Sequence, residues 1–257
     1  MPKKRKVERS EFLGKDMRLK GGGLGIPSFL SLLHQERIPR GFNILVAGPP
    51  GSGKSSFALS FIYDGLKEGE GGFLLSTDEP GYRIRDNMVS LGMDVVPYEG
   101  KGMFTLFDAY AGEYSSEQHM VLSPDSPRML GYLIDKWWEG KKFNHFRWAI
   151  DSLTTLYSIT DPEEMRAFLW DRVRKAKVVN ATALYTITPK AHDEMTLTNI
   201  FNMMDMVIIL TLEDTEEGLI KKLRVLKARR LRCDTRYYRF EIVPGEGIKI
   251  LKEESWK

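Results

Sequence analysis

The sequence predicts an α/β fold in which a mostly parallel, twisted central sheet is flanked by helices and continues into antiparallel strands near the C-terminus. Apolar runs of strand length alternate along the chain with stretches of helical length, and this order is typical of βαβ units. The final segment instead alternates polar and apolar residues, as antiparallel strands do. No repeat with a period of about 20 to 50 residues is visible, so residues 24–257 are expected to form one domain.

Each predicted element is bounded by residues that end regular structure, such as Pro49-Pro50 after the first central strand and Gly92 after the second long helix. The predicted strands are 43–47, 72–76, 103–107, 146–150, 183–187 and 206–212, followed by antiparallel strands or a hairpin over 219–227 and 237–250. The predicted helices are a short one within 25–33, then 54–66, 81–91, 127–138 and 162–177.

Composition is that of an ordinary globular protein, since 42% of the 257 residues are hydrophobic and 28% are charged. The longest apolar run, around residues 206–210, is strand-sized, so no membrane span is predicted. No apolar segment follows the basic N-terminus, so no secretory signal is expected. The single cysteine, Cys233, excludes an internal disulfide framework and favours the reducing cytoplasm.

Residues 1–23 are predicted to be a flexible, basic leader that ends in three glycines. Within it, Lys3, Lys4, Arg5 and Lys6 resemble a monopartite nuclear-localisation signal, which would act only in a eukaryotic host, and such runs also serve as nucleic-acid-binding arms. A solvated arm without either role is the alternative, because short basic runs are common. The net charge of +3 adds no argument for nucleic acid as a partner.

Residues 48–55 fit the phosphate-binding pattern G-x-x-x-x-G-K-[ST] at every defined position. The glycines let the backbone curl around phosphate oxygens, and the loop N–H groups and the N-terminus of the next helix attract the anion. Lys54 is predicted to contact the β and γ phosphates, and the Ser55 hydroxyl is predicted to bind Mg²⁺. The predicted ATP-binding segment is Gly48, Pro49, Pro50, Gly51, Ser52, Gly53, Lys54, Ser55 and Ser56.

Strand ends supply the carboxylates that a phosphate site of this kind needs. Asp151 follows the apolar run 146–150, where the carboxyl edge of a parallel sheet would place it beside the loop as a second Mg²⁺ ligand. Asp108, at the end of another strand, is its rival. Asp78 and Glu79 end the strand after the loop's helix, where a carboxylate can orient or deprotonate an attacking water. The alternative for this pair is to cap the next helix.

From about residue 25 to residue 250, the chain resembles the KaiC-like branch of the RecA superfamily. The resemblance rests on Gly25-Ile26-Pro27, Ile38-Pro39-Arg40-Gly41, the loop 48–55, Asp78-Glu79, Asp151-Ser152-Leu153-Thr154-Thr155-Leu156 and Val225-Leu226-Lys227-Ala228-Arg229. It implies a RecA-like P-loop fold, ATP and Mg²⁺ as cofactors, ATPase activity and a homo-oligomer, commonly a hexameric ring with nucleotide between subunits. It also implies that Glu79 is the catalytic carboxylate with Asp78 beside it, and that Lys227 and Arg229 reach the γ-phosphate of the neighbouring subunit. Without the resemblance, a solvated basic strand would be the favoured interpretation of these two cations.

The sequence departs from the family pattern at three places. After the Lys-x-Arg pair the family usually carries Gly and later His, whereas residues 230–233 here are Arg, Leu, Arg and Cys. Thr188 stands near the position where RecA-like proteins often carry a Gln that senses the γ-phosphate. Phe201 and Asn202 correspond approximately to the Ser-Thr pair that circadian-clock members phosphorylate, so a clock-type phosphorylation switch is not expected.

Three hypotheses of function follow. The first is an ATPase whose hydrolysis switches a homo-oligomer in a regulatory or DNA-transaction role. The second is a recombinase-like module that binds DNA through its basic clusters, with Tyr237, Tyr238 and Phe240 stacking on bases. The alternative for these aromatic residues is packing against the core. The third is a non-hydrolysing, nucleotide-gated scaffold that binds protein clients.

Overall fold

A computed structural model describes residues 21–110 and 126–251, apart from 142, 144 and 217. Most of the predicted leader, including its basic cluster, lies outside the described residues. The strands are β1 (Gly21–Gly22), β2 (Ile38–Pro39), β3 (Asn43–Ala47), β4 (Gly71–Ser76), β5 (Phe104–Asp108), β6 (Phe146–Asp151), β7 (Thr182–Ile187), β8 (Met206–Thr215), β9 (Gly218–Ala228), β10 (Tyr238–Val243) and β11 (Gly247–Ile250). The helices are α1 (Phe29–Leu32), α2 (Lys54–Lys67), α3 (Gly81–Ser90), α4 (Val96–Gly100), α5 (Pro127–Trp138), α6 (Leu153–Ile159), α7 (Pro162–Val178) and α8 (Glu194–Met203).

The described strands form a nine-stranded sheet in the order β11-β10-β9-β8-β3-β7-β6-β4-β5 and a separate pair of β1 with β2. Neighbours from β8 to β5 pair in parallel, and β9, β10 and β11 extend the β8 edge with antiparallel pairing. The predicted fold class is therefore confirmed, as is the change to antiparallel strands near the C-terminus. Gly21 and Gly22, which the sequence assigns to the leader, pair with residues 39 and 38.

Two hydrophobic cores lie on the two faces of the sheet, because successive strand residues point to opposite faces. In β3, Ile44 and Val46 belong to one core, whereas Leu45 and Ala47 belong to the other. The first core receives side chains from α1, α2 and α3, and the second from α5, α6, α7 and α8. Among the described residues, no helix has the length and apolarity needed to cross a bilayer.

Three described helices were not predicted from the sequence, namely α4, α6 and α8. The two longer ones begin at polar capping residues. Ser152 accepts a hydrogen bond from the Thr155 N–H at 3.5 Å, and Asp193 accepts one from the Thr196 N–H at 2.8 Å. These caps are the sequence feature that could have located α6 and α8.

A buried arginine, Arg147 at the start of β6, ties several segments together at the amino edge of the sheet. Its guanidinium donates to the Gly23 and Phe61 carbonyls and to Asp64, each at 3.0 Å, and it also pairs with Glu70. Removing a buried guanidinium with several partners is costly, because it takes the closest partner from the buried Glu70 and leaves backbone carbonyl groups without their donor.

Arg147→Met is therefore expected to lower the free energy of unfolding by about 3–5 kcal/mol, measured by chemical denaturation. Arg166→Met is the control, because Arg166 is 55% exposed and pairs loosely with Glu163 at 3.7 Å. Its loss should cost less than about 1 kcal/mol. Equal losses in the two variants would contradict a structural role for the buried network.

Candidate functional site

The loop of residues 48–55 connects the carboxyl end of β3 to α2. Gly51 and Gly53 adopt φ angles of 76° and 99°, which residues with a side chain rarely adopt. A Cβ atom at Gly48 would lie 2.9 Å from the carbonyl oxygen of Leu210, so this junction also requires glycine. The glycines of the pattern thus stand where the backbone conformation or its close packing demands them.

The Lys54 side chain lies against its own loop. Its ammonium donates a hydrogen bond to the Pro49 carbonyl at 3.0 Å, and the Ser52 hydroxyl donates to the same carbonyl at 2.7 Å. Burial lowers the pKa of Lys54, and the negative charges of Asp151 and Asp78 oppose this shift. A positive charge partly withdrawn from water beside the loop is suited to attract phosphate oxygens.

Asp151, the last residue of β6, is 4% exposed and lies next to the loop. Its carboxylate accepts a hydrogen bond from the hydroxyl of Thr186 on β7. Burial raises the pKa of Asp151, whereas the hydroxyl groups of Thr186 and Ser55 and the charge of Lys54 lower it. The two predicted Mg²⁺ ligands, Ser55 and Asp151, therefore lie close together.

This pair of ligands fits Mg²⁺. The ion prefers oxygen ligands and usually keeps several waters, being held by one or two carboxylates together with substrate phosphates. Within the described ranges, no group of three or more His, Cys, Asp and Glu side chains could hold a metal by itself. Ser55 and Asp151 could therefore hold this ion only together with oxygen atoms supplied by a nucleotide and water.

Asp78 and Glu79 differ in their surroundings although they are neighbours in sequence. Asp78 accepts hydrogen bonds from three hydroxyl groups, which belong to Thr77, Ser152 and Thr155. Glu79 accepts a hydrogen bond from the side-chain amide of Asn87 on α3 at 3.0 Å. Asp78 therefore holds the ends of β4 and β6 together, while Glu79 lies along α3.

Asp108, the predicted rival of Asp151, has a different role. Its carboxylate accepts hydrogen bonds from the backbone N–H groups of Gly81 at 2.7 Å and Tyr110 at 3.0 Å. It thereby contacts the first residue of α3, so Asp108 supplies the contact to this helix that is the alternative role of the acidic pair. Neither Asp78 nor Glu79 caps that helix, whose N-cap residue is Pro80.

Lys227 and Arg229 lie at the opposite edge of the sheet from the loop of their own chain. The last residue of β9 pairs with the first residue of β8. This pair lies at the edge of the sheet where the parallel strands begin. Lys227 donates to the Phe201 carbonyl at 2.7 Å and Arg229 to the Asn202 carbonyl at 2.5 Å. Both cations thus contact the C-terminal end of α8, where a helix leaves carbonyl groups unpaired.

The comparison with known proteins agrees with this fold. A profile of the family described as "ATPase: KaiC" matches residues 23–255. The chain belongs to the KaiC ATPase family. A UPF0273 protein of Thermotoga maritima is 31% identical over 239 residues, which cover 90% of this chain and 96% of that protein. A UPF0273 protein of Aeropyrum pernix is 30% identical over 238 residues, which cover 90% of this chain and 93% of that protein.

A solved structure confirms the fold. The KaiC-like protein of the hyperthermophilic archaeon Pyrococcus horikoshii superposes with a TM-score of 0.71 and covers 91% of this chain and 99% of its own. Its sequence identity is 24%, so the likeness shows a shared architecture. The predicted resemblance to KaiC-like proteins and the RecA-like P-loop fold are both confirmed.

The departures from the KaiC pattern occupy defined places in the fold. The backbone N–H of Thr188 donates to the Thr154 hydroxyl at 2.8 Å, so Thr188 is held against the segment that follows Asp151.

Phe240 is 2% exposed and packs edge-to-face on Phe57, so it is not available to stack on a base. For Phe240, this packing agrees with the alternative interpretation, that the aromatic residue packs against the core.

Sequence reasoning missed the residues that hold the carboxylates and the loop in place. Thr186 stands inside an otherwise apolar strand, and this exception was a usable indication of a polar role. Lys221, on β9, contacts the loop at the Gly51 carbonyl. Nothing in the local sequence distinguishes Lys221 from its neighbour Lys222, because the contact depends on how the antiparallel strands pack.

The raised pKa of Asp151 gives a prediction about stability. Since its folded pKa lies above the unfolded value, the stability linked to this group is present at low pH and is lost as the pH rises through the folded pKa. Asp151→Asn should therefore raise the Tm of the nucleotide-free protein at neutral pH, by about 2–4 °C for each kcal/mol of relieved burial cost. The same variant should lose the additional increase in Tm that Mg·ATP produces, because a ligand stabilises only the state that binds it.

Asp108→Asn provides the control for this melting experiment, because it neutralises another strand-end carboxylate. It should keep the increase in Tm on addition of Mg·ATP. A full nucleotide-induced increase in Asp151→Asn would contradict the assignment of Asp151 as a metal ligand.

Proposed function

We propose that this chain binds ATP with Mg²⁺ in the loop of residues 48–55 and hydrolyses it, and that hydrolysis switches a homo-oligomer in a regulatory or DNA-transaction role. The observation that supports this most strongly is the proximity of Ser55 and Lys54 of the loop to the buried Asp151. Burial disfavours the charged form of a carboxylate, and a bound cation would offset this cost. The loop, Lys54 and this pair together provide the parts that a Mg·ATP site requires.

Each part has a physical role in this proposal. The N–H groups of the loop and the N-terminus of the 14-residue α2 would bind the phosphates, and Lys54 would exchange the Pro49 carbonyl for phosphate oxygens. Ser55 and Asp151 would hold Mg²⁺, which when bound neutralises charge on the β and γ phosphates.

Glu79 is proposed as the carboxylate that orients the attacking water. Asp78 is engaged by three hydroxyl groups, whereas the carboxylate of Glu79 accepts a hydrogen bond from one side-chain amide. Glu79 therefore has more capacity to accept a hydrogen bond from water, while Asp78 keeps the adjacent strand ends in place. A carboxylate in the first role contributes about 10²- to 10⁴-fold to a rate.

Lys54→Ala tests the nucleotide site. Loss of the ammonium should weaken the affinity for Mg·ATP by about 10- to 100-fold, because a hydrogen bond to a charged group contributes about 1.5–3 kcal/mol. Lys67→Ala is the matched control, since Lys67 ends the same helix and lies 5.3 Å over the Tyr63 ring. Titration of nucleotide, phosphate release and molecular size with and without ATP should be measured on the same samples.

The outcomes of this experiment separate the hypotheses. Unchanged binding in Lys54→Ala would contradict the nucleotide site. Wild-type protein that binds ATP but releases no phosphate above background would favour the non-hydrolysing scaffold.

A shared active site is proposed for the oligomer. Lys227 pairs with Val207 near the amino end of β8, and Arg229 follows the last residue of β9 at that end. β8 pairs in parallel with the five-residue β3. The loop at the other end of β3 is therefore about 15 Å or more from Arg229, too far for its side chain in the same chain, and the Lys227 ammonium is bound to the Phe201 carbonyl. Arg229 is 45% exposed, so its guanidinium is accessible to a neighbouring chain. A cation supplied across an interface stabilises the charge that develops on the transferred phosphoryl group.

Mixing two inactive variants tests this shared site. Glu79→Gln and Arg229→Ala should each be nearly inactive alone, with losses of about 10²-fold or more. Mixing them before assembly should restore part of the phosphate release, because some interfaces then pair an intact Glu79 with an intact Arg229. A mixture no more active than the sum of its parts, despite demonstrated subunit exchange, would contradict a site built from two chains.

A further inference from the structure

The antiparallel strands that extend the sheet pack directly against the phosphate-binding loop. The Lys221 ammonium, on β9, donates a hydrogen bond to the Gly51 carbonyl at 2.7 Å. Phe240, which pairs with Lys221 across β9 and β10, packs on Phe57 in the first turn of α2. A Cβ atom at Gly53 would lie 2.8 Å from the Ile242 side chain, so β10 also contacts the end of the loop.

The apex of the loop differs from its two ends in how it is supported. Atoms of neighbouring segments would lie within 3 Å of a Cβ atom at Gly48 and at Gly53, but none within 4 Å of one at Gly51. Gly51 is exposed and has a positive φ of 76°, so neither packing nor a Cβ atom restricts its conformation. Two hydrogen bonds hold the peptide between Gly51 and Ser52, because its N–H donates to the Pro49 carbonyl at 3.3 Å and its carbonyl accepts from Lys221.

The direction of that peptide matters for phosphate binding. A loop of this kind binds anions through backbone N–H groups that point inward, and this requires the carbonyl groups to point elsewhere. The Pro49 carbonyl is held by Ser52 and Lys54, and the Gly51 carbonyl is held by Lys221. Lys221 therefore orients a carbonyl group at the apex of the loop, as Ser52 and Lys54 orient the carbonyl group at its beginning.

We propose that Lys221 is a positioning residue of the nucleotide site, which holds the carbonyl at the apex of the loop away from the triphosphate and places a second ammonium group at the loop that carries Lys54. This inference rests on the proposed binding of nucleotide to the loop. Lys221 acts through the Gly51 peptide, so it affects how tightly the phosphates are bound and not the chemical step. Its loss should raise KM while leaving kcat nearly unchanged.

The chain offers a matched control on the same strand. Lys222 is adjacent to Lys221, but successive residues of a strand point to opposite faces, and Lys222 pairs with Glu213 on β8. Lys221→Met and Lys222→Met remove the same charge and keep most of the aliphatic stem. Lys221→Arg restores a cationic donor at the position in question.

The test is a titration of Mg·ATP and Mg·ADP into these variants, with steady-state kinetics and melting of the nucleotide-free proteins. Lys221→Met should weaken the affinity for both nucleotides by about five- to tenfold, equal to about 1–1.4 kcal/mol. Lys222→Met should bind within about twofold of the wild type, and Lys221→Arg should recover most of the loss. The Tm of nucleotide-free Lys221→Met should equal that of Lys222→Met. If Lys221 served only to stabilise the fold, its loss would lower the Tm of the nucleotide-free protein.

Two results would contradict the inference about Lys221 and leave the proposed nucleotide binding intact. In the first, Lys221→Met binds nucleotide as tightly as the wild type. In the second, Lys222→Met loses as much affinity as Lys221→Met. A fall in kcat without a rise in KM would also overturn it, because Lys221 would then act on the chemical step. Wild-type protein that fails to bind either nucleotide would instead contradict the proposed function, and the inference would fail with it.

Discussion

The parallel pairing of β3, β7, β6 and β4 is the constraint on which the candidate site depends. Parallel strands end at the same edge of a sheet, so the phosphate-binding loop, Asp78 and Asp151 meet there although they are far apart in sequence. Side chains from the adjacent strands then fix the carboxylates, as Thr186 on β7 does for Asp151 on β6. A shift of one residue in the register of β6 would turn Asp151 to the other face and leave the loop without its carboxylate.

Burial disfavours the charged forms of two ionisable groups at this edge, Lys54 and Asp151. Burial lowers the pKa of Lys54 and raises the pKa of Asp151, so the charged form of each is disfavoured by its surroundings and supported by the other. Such an arrangement costs stability in the free protein and favours a ligand that brings both signs of charge, as a metal-bound polyphosphate does. The cations Lys227 and Arg229 are held differently, on the carbonyl groups at the end of α8, one strand length from this edge. β9 thus carries Lys221 near its own loop and the other two cations at its far end.

Periodicity and spacing predicted most of this arrangement, because buried parallel strands require continuous apolar runs and the loop requires glycine at fixed positions. The preference for Asp151 over Asp108 agrees with the position of Asp151 close to Ser55, but it depends on a family pattern rather than on strand periodicity. The sequence could not show that Asp108 contacts α3 or that Lys227 contacts α8, since hydrogen bonds to backbone groups leave no pattern in the side chains. The same reason explains why Lys221, whose partner is the Gly51 carbonyl, was missed.

The most direct measurement of the central claim is a structure determined with Mg²⁺ and a non-hydrolysable ATP analogue. The account predicts that the triphosphate lies in the loop of residues 48–55, that Lys54 has exchanged the Pro49 carbonyl for phosphate oxygens, and that the metal lies between Ser55 and Asp151. It would be contradicted by an analogue bound at another place on the chain. A triphosphate bound in the loop with no metal near Ser55 and Asp151 would equally contradict the role assigned to that carboxylate.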